Sequence, residues 1–161
     1  EMPLIRPPQL ADAQLMHELV CRCAPLDQNS GYLYLLLADH FSRTCAVAEQ
    51  SGQLAGFVSA YRHPERAATL FIWQVAVDAG WRRRGLGLRM LESLLGRADL
   101  ADIAFLETTI SPSNAASRQL FERLACNFSA ALEVCEHFGP EHFGSKSHEA
   151  EQLYRIGPFK P

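Results

Sequence analysis

The residues best suited to chemistry form one run, Arg82-Arg83-Arg84-Gly85-Leu86-Gly87. Three cations and two glycines precede apolar positions at Leu88, Leu91, Leu94 and Leu95, which have helical spacing. Ahead of the run, Leu70 to Val77 is β-branched and aromatic with partial alternation, the pattern of a strand. The order is strand, basic glycine turn, helix. The first backbone N–H groups of a helix have no intrahelical partner and lie at the positive end of its dipole, so such a terminus binds phosphate. Gly85 and Gly87 lack Cβ atoms, which lets the backbone curl against a diphosphate, and the arginines add positive charge. The competing reading is a solvated basic turn that only caps a helix, because short glycine motifs match by chance.

Carboxylates supply the second kind of chemistry. Glu107 is the one charge inside the apolar stretch Ile103 to Ile110, where burial without a partner is expensive. It reads either as a functional acid or as a strand-end residue facing solvent. Asp27, in the polar turn Leu26 to Tyr32, is a ligand or a turn former. His148 and Glu151 belong to a C-terminal segment rich in glycine, histidine and glutamate, and divide between ligand and solvated-loop readings. Trp73 either walls a pocket or belongs to the core.

The elements that must position these residues follow from periodicity. Leu4-Ile5-Arg6 is a short strand stopped by Pro7 and Pro8. Asp12 caps a helix with apolar positions Leu15, Met16, Leu19 and Val20, ended by Pro25. A second apolar helix runs from Tyr32 to Phe41. Strands at Thr44 to Glu49 and Leu54 to Tyr61 are joined by Gln50-Ser51-Gly52-Gln53, a hairpin signal. After the central strand and its helix, which ends near Ala98, come the Ile103 to Ile110 strand and a helix capped by Ser113-Asn114. Strands at Phe128 to Cys135 and Gln152 to Ile156 close the chain, with the 136 to 149 segment between them. No repeat or low-complexity tract interrupts this α/β order.

Composition sets bounds. With 161 residues, 48% of them hydrophobic, the chain suits a single domain over 1–161. A net charge of −3 gives no reason to expect nucleic acid, whose binders carry a basic face. The five cysteines, Cys21, Cys23, Cys45, Cys126 and Cys135, are odd in number and lack zinc-site spacing. Buried free thiols in a reducing compartment and no metal are expected. No apolar run approaches the roughly 20 residues of a membrane span and no signal peptide is visible, which suggests a cytoplasmic protein.

Arg82 to Gly87 after the strand Gln74-Val75-Ala76-Val77 resembles the acetyl-CoA signature of the GCN5-related N-acetyltransferases. The resemblance covers nearly the whole chain. It implies a mixed, mostly antiparallel central sheet with helices on both faces and a fourth strand splayed from the fifth. The pantetheine arm of acetyl-CoA then adds as a pseudo-strand to the main chain of Val75, Ala76 and Val77. The diphosphate lies on Arg82, Arg83, Arg84, Gly85, Leu86 and Gly87, and Asn114 and Ser117 match family positions that touch the cofactor arm. Capping is the other explanation for Asn114. Within that superfamily, the phrases Leu26-Asp27-Gln28-Asn29-Ser30, Phe71-Ile72-Trp73-Gln74-Val75-Ala76-Val77-Asp78, Phe105-Leu106-Glu107-Thr108-Thr109 and Glu141-His142-Phe143-Gly144 resemble the diaminobutyrate acetyltransferases of ectoine synthesis. That implies acetyl transfer to the γ-amine of L-2,4-diaminobutyrate by direct attack in a ternary complex, and a homodimer.

The chemistry this implies makes demands on the site. An amine with a pKa near 10 is protonated at neutral pH and cannot attack a thioester until it loses a proton. Glu107 is the first candidate to accept it, and Asp27, Trp73, His148 and Glu151 are expected to contact substrate. Family members often use a tyrosine in the helix after Asn114 to protonate the departing thiolate, and here that position matches Phe121. Tyr32 or another tyrosine takes the role, or the thiolate leaves without an acid. Another small amine, a peptide N-terminus, or a non-catalytic acyl-CoA sensor are the alternative functions.

Overall fold

The computed structural model describes residues 1–144 and 147–159. Seven strands hydrogen-bond in the order β1-β2-β3-β4-β5-β7-β6. They are β1 (Leu4–Arg6), β2 (Ala46–Gln50), β3 (Gln53–Arg62), β4 (Thr69–Val77), β5 (Phe105–Ile110), β6 (Leu132–Phe138) and β7 (Glu151–Ile156). Four helices accompany them: α1 (Ala13–Cys21), α2 (Gly31–His40), α3 (Leu86–Leu95) and α4 (Ala115–Asn127). The sheet is mixed, with β4 and β5 parallel and the β1–β2, β2–β3, β5–β7 and β6–β7 pairs antiparallel. Backbone contacts divide the chain into two compact units. One holds Glu1–Tyr61 with Ile72–Ala101, the other Arg62–Phe71 with Asp102–Pro161.

In the first unit β2 and β3 are joined as a tight hairpin, because Ser51 (φ 53°) and Gly52 (φ 77°) both take the left-handed conformation that matches strand twist. Phe57 packs toward α1 and α2 in a cluster with Met16, Leu19, Tyr34, Leu37 and Val47. Its neighbour Gly56 faces the opposite way, where a Cβ would lie 2.7 Å from the Met90 side chain of α3. The period-two strand therefore has a helix layer on each side, and only a glycine lets α3 approach this closely.

In the second unit the register sets Glu107 opposite Arg155 and Thr108 opposite Tyr154, and Arg155 is also opposite Glu133 on β6. Leu106, Thr108, Ile110, Tyr154 and Ile156 are buried, and α4 buries Phe121, Leu124 and Ala125. The alternate positions Phe105, Glu107, Thr109, Leu153 and Arg155 point to the other face. β6 is exposed along nearly its whole length.

Several expected boundaries shift for identifiable reasons. Asp12 holds the N-cap position of α1 as expected, but its side chain does not cap the helix: it also ends a 3-10 turn, Leu10–Asp12, and its carboxylate accepts from the Gln9 N–H at 2.6 Å and from Arg6. α1 already stops at Cys21, ahead of Pro25. Thr44 belongs to a turn, Ser42–Thr44, so β2 starts at Ala46. The last hairpin starts at Leu132 rather than Phe128, because Phe128 caps α4 and Ser129 has φ 50°, which no strand accepts. Phe128 is apolar for another reason, since its ring meets Phe159 edge-on at 5.2 Å. All five thiols are free, but only Cys23 and Cys45 are buried, whereas Cys21, Cys126 and Cys135 are exposed. Among the described residues no helix is long and apolar enough to cross a membrane.

Candidate functional site

The basic turn lies wholly in the first unit. β4 ends at Val77, a 3-10 turn spans Ala79–Trp81, and α3 begins at Leu86 with Gly85 as its cap. Arg83 (φ 62°) and Gly85 (φ 74°) both take the left-handed conformation, which turns the chain sharply into α3. No side chain caps the α3 N-terminus, and a Cβ built on Gly85 meets nothing within 4 Å. The space before this backbone is open. Arg82, Arg83 and Arg84 are exposed. Arg82 Nε donates to the Val77 carbonyl at 3.3 Å, and the Arg84 guanidinium lies 4.8 Å from the Trp81 ring centroid. Bare N–H groups, a glycine in a conformation other residues resist, and three cations on one exposed turn fit a diphosphate.

Val75 and Val77 are half-buried on β4, with Ala76 buried between them. The same strand carries Trp73, 41% exposed and therefore outside the core. Gln74 is buried and organises the Asp27 loop: its Nε2 donates to the Asp27 carbonyl at 3.0 Å, and its Oε1 accepts from the Tyr34 hydroxyl at 3.2 Å. Tyr34 is fully buried, stacked 5.2 Å from His17, and burial holds its hydroxyl above the ordinary phenol pKa. The Asp27 side chain is left exposed at the loop surface, and Tyr32 is 67% exposed on α2. Neither Tyr34 nor Gln74 was singled out from sequence. A glutamine in an otherwise apolar strand was the available signal.

The remaining candidates lie in the second unit. Glu107 is only 3% exposed, yet it has two partners: Arg66 Nη2 donates to Oε1 at 2.7 Å, and Arg155 Nη1 donates to Oε2. Both oxygens of the expected proton acceptor are thus engaged by guanidinium groups. Burial is made tolerable by ion pairing rather than by solvent. The Arg155 guanidinium also covers the Phe105 ring, 3.8 Å from its centroid. Glu151 is half-buried at the start of β7, and its Oε1 accepts from Thr109 Oγ1 at 2.7 Å. His148 stacks on Phe143 at 3.7 Å, and its Nδ1 lies 2.6 Å from the Glu149 carbonyl. Glu149, unmarked in the sequence, accepts from the backbone and hydroxyl of Ser113, which leads into α4. Asn114 caps α4 by accepting from the Ser117 N–H at 3.1 Å, and Phe121 is buried in that helix. Ser145 and Lys146, inside the 136 to 149 segment, lie outside the described residues. Among the described residues no group of three or more His, Cys, Asp or Glu side chains is arranged to hold a metal.

Comparison with known proteins bears on these arrangements. Residues 13–126 match the family model described as acetyltransferase (GNAT) family. The L-2,4-diaminobutyric acid acetyltransferase of Vibrio cholerae is 48% identical over 159 residues, covering 95% of this chain and 88% of the relative. The enzyme of the same name from Chromohalobacter salexigens is also 48% identical, over 98% of this chain and 82% of its own. Among solved structures, the diaminobutyrate acetyltransferase EctA of Paenibacillus lautus, in complex with L-2,4-diaminobutyric acid and coenzyme A, superposes with a TM-score of 0.95. It is 42% identical, and the match covers 100% of this chain and 97% of that one. The ribosomal-protein-S18-alanine N-acetyltransferase of Escherichia coli, 19% identical with a TM-score of 0.71 over 99% of this chain and 96% of its own, shares the fold.

Proposed function

The chain belongs to the acetyltransferase (GNAT) family, and on that premise we propose that residues 1–161 act as one domain that moves an acetyl group from acetyl-CoA to the γ-amine of L-2,4-diaminobutyrate, the acetylation step of ectoine synthesis. The observation that carries this reading is the full-length match to a 42% identical enzyme solved with that diamine and coenzyme A. Acetyl-CoA is the co-substrate, and the exposed turn at Arg82–Gly87 fits its diphosphate.

The reaction forms a carbon–nitrogen bond and breaks the thioester carbon–sulfur bond, releasing the thiol. The chain's residues divide the work. Gly85, Leu86 and Gly87 supply main-chain N–H groups to the diphosphate while Arg82, Arg83 and Arg84 supply charge. The main chain of Val75, Ala76 and Val77 pairs with the pantetheine arm, with Asn114 and Ser117 as further contacts. Asp27, Trp73, His148 and Glu151 receive the diamine. A base must take the ammonium proton before attack. Glu151 accepts one hydroxyl and, among the described residues, has no ion pair to break, whereas Glu107 must first release a guanidinium. We therefore assign the proton to Glu151, with Glu107 holding its two arginines beside the reaction. Tyr32, exposed on α2, is the hydroxyl assigned to the departing thiolate, because α4 carries Phe121 and no tyrosine.

The free thiols and the use of acetyl-CoA favour a cytoplasmic enzyme. The exposed β6, with Val134 46% and Phe138 40% exposed, favours a homodimer in which that surface is covered. Incubation with acetyl-CoA and diaminobutyrate should release one thiol per acetylated product, identified as the γ-N-acetyl isomer by mass spectrometry. No thiol release overturns the reading, and a monomer mass in light scattering overturns the dimer.

A further inference from the structure

Glu107, buried in β5, needs one cation to compensate it and has two. Arg155 comes from the directly opposing position of β7 and Arg66 from the connection before β4. The second guanidinium exceeds what neutrality asks. Ordering a half-exposed arginine costs side-chain entropy that one ion pair would have spared. Each guanidinium carries five N–H donors and gives Glu107 a single Nη, and the side chains remain 48% exposed for Arg66 and 28% for Arg155. The cluster thus presents a surplus positive charge with donors left over, in the planar fork geometry that matches a carboxylate. Glu133, opposite Arg155 on β6, is a further anion in the register, but it is solvent-exposed and its charge is screened.

A second charge stands on the same face. Glu151 is fixed on Thr109, two residues beyond Glu107 along β5, a rise of about 7 Å. An anion at Thr109 and a cationic pair at Glu107 have the polarity and spacing of a short amino acid in its zwitterionic form, ammonium toward Glu151 and carboxylate toward the arginines.

Resting on the function proposed above, we infer that Arg66 and Arg155, held by Glu107, form the subsite for the substrate's carboxylate, so that this pair selects a diamino acid over a plain diamine. Arg66 and Arg155 touch the ligand. Glu107 acts through them as a positioning residue.

The test compares two acceptors on the full chain: L-2,4-diaminobutyrate and 1,3-diaminopropane, which is the same molecule without its carboxylate. Arg66→Gln should lower kcat/KM for diaminobutyrate by roughly ten- to hundredfold more than for diaminopropane, chiefly through KM. Arg66→Lys should recover part of the difference. Arg66 is half-exposed, so its variants keep the fold, and the ratio of the two acceptors is insensitive to a uniform loss of active protein. Arg155→Lys should shift the ratio in the same direction. Equal losses with both acceptors, an unchanged ratio, or a wild type that uses diaminopropane as well as diaminobutyrate would overturn the subsite. A wild type inert toward diaminobutyrate would instead overturn the preceding reading, and this one with it.

Discussion

The two units each contain an ionic triad, and the triads are opposite in stoichiometry. In the first, Arg6 sits between two acids, donating to Asp12 at 2.7 and 3.0 Å and to Glu49 at 2.8 Å. In the second, Glu107 sits between two arginines. Arg6 ties β1 to β2 and to the turn before α1, and Asp12 spends its remaining capacity on the Gln9 backbone. That triad closes on itself. The Glu107 triad keeps two partly exposed guanidinium groups and a surplus positive charge. A triad that consumes its donors is suited to stability, and one that retains them has donors to offer a ligand.

Variants can break this contrast, beginning with the largest effect. Gly85→Glu places a carboxylate before open N–H groups and forces a side chain onto φ 74°, so coenzyme A binding measured by calorimetry should weaken more than a hundredfold while diaminobutyrate still binds. Unchanged affinity removes the turn from the site. Glu151→Gln should lower kcat by roughly a hundredfold or more with little change in coenzyme A affinity, as expected for loss of a proton acceptor. Glu107→Gln should act mainly on KM for the diamino acid. If Glu107→Gln instead takes the larger share of kcat, the two carboxylates exchange roles.

Arg6→Ala should destabilise the protein by about 2 kcal/mol in denaturant melts, because it strands the nearly buried Asp12 carboxylate, and leave acceptor preference unaltered. The pH dependence follows. Hydrogen bonding to Arg6 holds the folded Asp12 carboxyl below its ordinary value, so its contribution is complete above the unfolded pKa near 4 and is lost as pH falls through the folded value. Wild type should therefore lose stability on acidification below about pH 4 more steeply than Arg6→Ala; parallel profiles would contradict this. The smallest effect concerns thiols. Burial pushes Cys45 up to about 11, so near neutral pH a thiol reagent should modify Cys21, Cys126 and Cys135 quickly and Cys45 only after unfolding. Rapid modification of Cys45 in the native protein would contradict its place in the core.

The legible parts were those written in contiguous residues. Strand, glycine turn and α3 follow one another in the chain, and a main-chain site needs little more than a conformation that glycine permits. Gln50 to Gln53 announced a hairpin for the same reason, since the turn chemistry is local. The Phe128 boundary was not legible, because an apolar residue after a helix serves equally as strand or cap until its ring finds Phe159.

Sequence by itself determined the order of elements, the family, and the place of the basic glycine turn, because each depends on periodicity or on neighbours in the chain. Tertiary structure alone decided that Glu107 is buried yet paired, that Gln74 and Tyr34 fix the Asp27 loop, and that Arg66 and Arg155, far apart in the chain, both reach Glu107. Cross-strand register and loop return create those contacts. A charge states its sign in the sequence, but its partners and its exposure are properties of the folded sheet.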